Sequence, residues 1–189
     1  DEDHNLKLMG ETLDDAIGEA YDKVARIIGL FYPGGPEIEK AAKNAEATLD
    51  IPIPNIPNYD LSFSGIKTFV TNYVNQCKMK NIEINVGNIA KSFQVTAIEH
   101  LRRKIVKAVK DTNSKTLAIA GGVSANKYLR EVLYSCEDLS NVDISFPVKM
   151  EYCTDNGAMI ATAAYYMLKH NKVKFEKNLD ATSTKEFHR

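Results

Sequence analysis

At 189 residues the chain is long enough to bury one core and short for two. Its 24 Lys and Arg stand against 25 Asp and Glu, a formal net charge of -1, which excludes a general polyanion binder and confines any nucleic-acid contact to local patches. Cys77, Cys136 and Cys153 form no C-x-x-C pair, which excludes a zinc-ribbon or dithiol signature and suits a reducing compartment.

Asp1 to His4 is acidic with no apolar run behind it, so no secretory signal is expected, and a start without Met reads as a piece of something longer. Residues 6–9 alternate weakly, as a short strand would. From Thr12 the pattern is helical: Leu13, Ile17, Ala20, Val24 and Ile27 recur at spacings of three and four, Thr12 and Asp15 have capping-box spacing, and Gly29 stands where a helix ends. After the turn Tyr32-Pro33-Gly34-Gly35-Pro36 a helix is predicted over 36–48. Three prolines make 51–58 an extended connector. A strand is predicted at 60–64, helices at 65–80 and 86–111, a strand at 116–120, a helix at 125–134, a strand at 144–146 and a last helix at 156–170. That helix is too short to span a bilayer, so a soluble protein is expected. The tail 172–189 is polar. Short apolar strands alternating with longer helices predict an α/β layer.

Four stretches can carry chemistry, each with a plainer reading beside it. At Leu117 to Arg130 an apolar strand runs through Gly121 and Gly122 into a helix, the arrangement in which α/β folds present backbone amides to a phosphate; Ser124 is a natural N-cap and the Asn126 amide could reach a base or a phosphate. A tight turn that needs glycine for geometry alone fits equally well. On the first helix Asp15, Gly18 and Asp22 share a stripe, with Asp14 and Glu19 beside it. Asp14 and Asp15 read most simply as first-turn acids, whereas Asp22 lies too far along for the helix dipole and suits a ribose hydroxyl. The Pro-bracketed Gly34-Gly35 turn is stiff and open, with Glu39 one helical turn on; a plain connector is the alternative. Asp155 or Thr154 reads as the N-cap of the last helix, with a second carboxylate oxygen left for a cation. His4, His100, His170 and His188 form no local metal pair. Arg102, Arg103, Lys104, Lys107 and Lys110 share an outer arc of the long helix, a solvated face by default and an RNA or partner contact as the alternative.

Gly10 to Ala16 (GETLDDA), Tyr21 to Ala25 (YDKVA), YPGGP, DLSFSGIKT, AGGVSANKYLR and CTDNGAMIA occur in this order between Gly10 and Ala161, and together they resemble the TsaD family, also called Gcp and related to the Kae proteins. The resemblance implies an actin/hexokinase-like (ASKHA) ATPase fold and a tRNA modification that moves threonylcarbamoyl from threonylcarbamoyl-AMP to the exocyclic nitrogen of the adenosine beside the anticodon. It implies that Asp22, Gly35 and Asn126 contact the adenylate, with Gly121 and Gly122 also at the nucleotide, that Glu39 is a ribose partner, and that Asp155 is the single aspartate ligand of a divalent metal (iron, zinc or magnesium). It further implies an ATP- or AMP-type nucleotide, tRNA, a TsaB-like paralogue and a TsaE-like ATPase as partners, and a cytoplasmic or organellar location.

The H-x-x-x-H pair that supplies two metal ligands in the family's first half does not occur in this sequence. The chain is therefore expected to be a single C-terminal lobe over 1–189, without the N-terminal metal-binding lobe, and inactive alone. A non-catalytic interaction paralogue and, less in keeping with the histidines, a metallo-glycoprotease are the competing readings.

Overall fold

The computed structural model describes residues 7–171; Leu6, His4, His188 and the tail 172–189 lie outside the described residues. Among them are six α-helices and one two-stranded parallel sheet, an α/β arrangement.

Helix α1 spans Ile17–Ile27, later than the expected start at Thr12. The amide of Leu13 donates to the carbonyl of Leu61 at 2.8 Å and that of Leu61 to Glu11 at 2.9 Å, so Thr12 is held extended in a parallel bridge to Leu61 and cannot begin a helix. This bridge is all that forms of the predicted strand at 60–64, and residues 7–9 make no strand. The end of α1 is as expected: Gly29 adopts φ +84°, and the amide of Leu30 reaches back to the carbonyl of Ala25 at 2.8 Å.

Helix α2 spans Gly34–Ala42, starting earlier and ending sooner than the 36–48 predicted. Its start is set from outside, because Asp22 Oδ1 accepts from the amide of Gly34 at 2.7 Å and so caps the helix from α1. A Cβ at Gly34 would lie 2.6 Å from Asp22 Cα and 2.7 Å from the Tyr21 carbonyl oxygen, so a glycine is what lets α2 sit this close to α1. Helix α3, Ser64–Met79, is also capped remotely: Asp14 Oδ1 accepts from the Phe63 amide at 2.8 Å, and Oδ2 from the Ser62 hydroxyl.

Helix α4, Val86–Thr112, is the long spine of the fold, capped by Asn85 Oδ1 on the amide of Asn88 at 3.0 Å. Its first half (Ile89, Ala90, Phe93, Ala97) joins α1, α2 and α3 in one apolar core. Its second half (Ile98, Val106, Val109) joins Leu129, Leu133 and Leu139 in another, under the sheet. Strand β1, Thr116–Ala118, pairs in parallel with β2, Asp143–Ser145, Leu117 opposite Ile144; α5, Lys127–Tyr134, lies in the crossover. Leu117 and Ile144 pack on the second core, whereas Thr116, Ala118, Asp143 and Ser145 are exposed.

The proline connector is held down by Lys104 on α4, whose ammonium donates to the carbonyls of Ile56 and, at 2.9 Å, Asn58. Helix α6, Gly157–Lys169, closes the described chain, and none of its residues is buried.

Candidate nucleotide site

Three helix segments meet where the two cores adjoin. Asp22, on α1, caps α2 through Gly34; Gly35 follows, and Glu39 projects one turn further along α2. Glu39 Oε1 accepts from the amide of Lys127, the first residue of α5, at 3.2 Å. Asn126 precedes it, only 7% exposed, and faces the Tyr21 side chain, which neighbours Asp22 on α1. The contacts thus run from Asp22 through α2 to Asn126 and back to α1. Gly18 completes the approach, since a Cβ there would lie 3.6 Å from Val123 Cγ2 in the glycine turn.

Each polar group in this ring uses one atom for the scaffold and keeps another. Asp22 and Glu39 each commit one carboxylate oxygen to a backbone amide, leaving the second as an acceptor. Asn126 Oδ1 caps α5 by accepting from the Leu129 amide at 2.9 Å, leaving Nδ2 as a donor. Asp22, Gly35 and Glu39 are half-buried. An added Cβ at Gly35, Gly121 or Gly122 would meet open space, and Gly121 has φ +81°, so the turn needs glycine at 121 for its conformation and leaves all three positions open to approach.

Behind the ring the interior is polar but under-satisfied. The hydroxyl of Ser124 is buried without a hydrogen-bond partner among the described residues, and that of Tyr21 has only the Asn126 side chain beside it. Burial, followed by the Glu39 carboxylate and then Tyr128, pushes the Tyr21 phenol well above its ordinary range, so it stays protonated, facing Asn126. Ser124 is not the N-cap expected of it. The chain from Gly122 to Ala125 makes a 3₁₀ turn, the Ser124 amide bonds the Gly121 carbonyl at 2.9 Å, and α5 starts only after Asn126, which takes the capping role.

The other expected residues fall elsewhere. Asp15 does not share a stripe with Gly18 and Asp22; it precedes α1 and pairs with Lys23 at 2.6 Å and Lys67 at 2.9 Å. Hydrogen bonds from these two lysines hold its carboxyl below the ordinary range. Asp155 is exposed, without a hydrogen bond or ion pair among the described residues, and touches none of the ring residues through a polar contact. The N-cap of α6 is neither Asp155 nor Thr154 but Asn156, whose Oδ1 accepts from Met159 at 2.9 Å. No three His, Cys, Asp or Glu side chains cluster as metal ligands among the described residues. His100 is buried; its Nε2 accepts from the Ser62 amide at 3.3 Å, and burial, with Lys104 and Arg103, lowers its pKa and keeps it neutral.

The basic arc of α4 is paired within the chain, while Arg103, Lys107 and Lys110 stay exposed at its surface. Arg102 and Arg103 both bind Glu99, at 2.7 and 2.8 Å. The Arg102 hydrogen bond outweighs burial and, with Arg103, holds the Glu99 carboxyl down at about 2. Lys107 pairs with Asp111, Lys110 with Asp138, and Lys104 grips the connector.

Sequence reasoning missed the roles of Tyr21 and Lys127, and read Gly34 as part of an open turn where in fact α1 packs tightly against it. Gly34 carried a signal, two adjacent glycines of which one must be a close-packing residue. A backbone amide such as that of Lys127 has no signature in sequence at all.

The sequence model of the TsaD family, described as tRNA N6-adenosine threonylcarbamoyltransferase, matches residues 1–162. A Mesoplasma florum protein of that name is 48% identical over 168 residues, 88% of this chain and 53% of its own length. One from Fusobacterium nucleatum is 47% identical over 173 residues, 91% of this chain and 50% of its own length. One from Thermosipho africanus is 43% identical over 188 residues, 98% of this chain and 54% of its own length. The chain spans about half the length of the curated relatives it matches.

Proposed function

Because this chain belongs to the TsaD family of tRNA N6-adenosine threonylcarbamoyltransferases, we propose that it carries the nucleotide-gripping half of such an acyltransferase, as the C-terminal lobe of an ASKHA-type fold. The observation that carries the reading is the ring joining Asp22, Gly35, Glu39 and Asn126 across three helices. Residues far apart in sequence are brought to one seam, each retaining a polar atom or open space for a ligand.

In the proposed arrangement an adenylate lies along the seam. The second oxygens of Asp22 and Glu39 accept from the vicinal hydroxyls of its ribose, and Asn126 Nδ2 donates to the nucleotide. Gly35 admits the ligand's bulk, and the Gly121-Gly122 turn borders its phosphate. The reaction is attack by the exocyclic nitrogen of the tRNA adenosine on the carbonyl of threonylcarbamoyl-AMP: the new C–N bond forms, the C–O bond to the phosphate breaks, AMP leaves with the electron pair, and the attacking amine gives up one N–H proton to solvent. This chain's part is orientation, holding the leaving nucleotide so that the carbonyl is presented in one pose.

A family metal, iron, zinc or magnesium, would find a single ligand here in Asp155, an exposed carboxylate, and the described residues do not complete a site around it. Asp155 is therefore proposed as one ligand of a centre whose others come from residues beyond this chain. When bound, such a metal supplies Lewis-acid polarisation and a template for the acyl phosphate. A TsaB-like paralogue and a TsaE-like ATPase are the proposed protein partners, and the cytoplasm the proposed location. Among the described residues no helix is long and apolar enough to cross a membrane.

The test is titration of the chain with AMP by calorimetry. Saturable binding is expected, weakened about tenfold by Asp22→Asn or Glu39→Gln, the loss of roughly one charge-assisted hydrogen bond, and unchanged by Asp50→Asn on the exposed segment after α2. Binding that is absent, or indifferent to Asp22 and Glu39, overturns the reading. Threonylcarbamoyl transfer to tRNA by the isolated chain is expected to be undetectable; measurable transfer would refute the sharing of the metal centre with residues outside it.

A further inference from the structure

Nothing in the ring explains how Asp155, on a separate segment, could be held in a fixed relation to the nucleotide seam. The segment from Val148 to Asn156 is bound largely to itself: the Cys153 amide bonds the Met150 carbonyl at 3.0 Å, Cys153 Sγ reaches the Lys149 carbonyl at 3.8 Å, and Asn156 Nδ2 donates to Thr154 at 2.9 Å. Helix α6, which follows, buries none of its residues.

One side chain crosses the gap. Arg130, the fourth residue of α5 and half-buried, donates from Nε to the carbonyl of Ser124 at 2.7 Å, inside the 3₁₀ turn that follows Gly121. Its Nη2 donates to the carbonyl of Pro147 at 3.3 Å, just after β2, and the same nitrogen lies 3.9 Å from Cys153 Sγ. The guanidinium also lies over the Phe146 ring, 4.8 Å from its centroid. Among the described residues no other side chain makes a polar link from the Cys153–Asn156 segment to the body of the fold.

We infer that Arg130 is a positioning residue: its guanidinium locks the glycine turn of the nucleotide seam to the segment carrying Asp155, so that the two are placed as one rigid unit. The chemistry suits arginine alone. A planar fork with several fixed N–H groups can serve two carbonyls in different directions while its face rests on an aromatic ring, whereas lysine offers one compact ammonium. Ser124 and Asn126 belong to the same turn, so a shift of that turn moves the Asn126 cap and with it the Lys127 amide that Glu39 accepts.

The functional meaning of this lock rests on the nucleotide reading; the lock itself does not, and two measurements separate them. Hydrogen exchange on the chain without nucleotide, read by mass spectrometry, compares the wild type with Arg130→Met and Arg130→Lys. In Arg130→Met, exchange is expected to rise roughly tenfold or more at the hydrogen-bonded amides of the two segments together, Ser124 and Asn126 in one and Tyr152 and Cys153 in the other, with α1, α2 and α3 unchanged. Arg130→Lys should free one of the two segments and leave the other protected. A rise in neither segment, or in only one of them in Arg130→Met, overturns the inference. So does a rise throughout the chain in both variants, which would make Arg130 a general stabilising residue. If Arg130→Met fails to fold, Arg130→Lys decides by protection of the two segments. AMP titration is the second arm: wild-type binding that weakens several-fold in Arg130→Lys, with an unchanged melting temperature, supports positioning of the seam, and unchanged affinity contradicts it. A wild type that binds no AMP defeats the nucleotide reading and leaves the exchange result to stand or fall by itself.

Discussion

Asp14, Asp15 and Asp22 look alike in sequence and do three different things. Asp15 is neutralised by two lysines, Asp22 caps α2 with one oxygen, and Asp14 caps α3 with both. For Asp14, burial works to raise the carboxyl's pKa, but hydrogen bonds from the Ser62 hydroxyl and the Phe63 and Ser64 amides outweigh it and hold it at about 2 against an ordinary 3.8. The folded pKa is the lower one, so the unfolded chain takes up the proton first as pH falls. Stability from Asp14 is therefore complete above about 3.8 and drains away between there and about 2. Asp14→Ala is expected to cost about 1 kcal/mol at neutral pH in urea unfolding, the usual worth of a helix cap. Asp14→Asn keeps an acceptor and should flatten the acid limb in that window; an unaltered limb would mean the carboxylate is not the titrating group. The sequence separated Asp22 from the other two, because a helix dipole does not reach that far. It could not find their partners, since Ser62, Lys67 and Gly34 are brought in by folding.

Elements were legible where the signal was local. The periodicity of Ile89, Phe93 and Ala97 placed α4 almost to its ends, and Gly29 marked the end of α1. Element starts set by distant residues were not legible: Thr12 is drawn out of α1 by Leu61, α2 begins where Asp22 caps it, and α5 is capped by the asparagine instead of the serine because a 3₁₀ turn intervenes. The paired glycines test this at element scale. In Gly34→Ala the added Cβ meets the α1 backbone, so α1 and α2 must part, at a cost of about 1 to 3 kcal/mol in thermal or urea unfolding. Gly35→Ala meets open space within a helix and should leave stability unchanged or slightly raised while weakening AMP binding. Equal effects of the two substitutions on stability would contradict the close approach at Gly34.

At the scale of the molecule, α6 stands apart. Met159, Ile160, Tyr165, Tyr166, Met167 and Leu168 are each between 47% and 64% exposed. A helix this apolar on all sides ordinarily lies buried, so it requires cover from outside the described residues. The isolated chain is expected to self-associate as concentration rises in sedimentation experiments, and the pair Ile160→Lys and Leu168→Lys to suppress it; a wild type that stays monomeric throughout would show that the helix is covered already. The two apolar cores raise a different matter, because α4 is the member they share, passing from one to the other between Ala97 and Ile98. The two cores also meet away from α4, where Glu39 of α2 accepts from the Lys127 amide at the start of α5 and Gly18 packs against Val123. In the proposed arrangement an adenylate at this seam would tie the two apolar cores to each other.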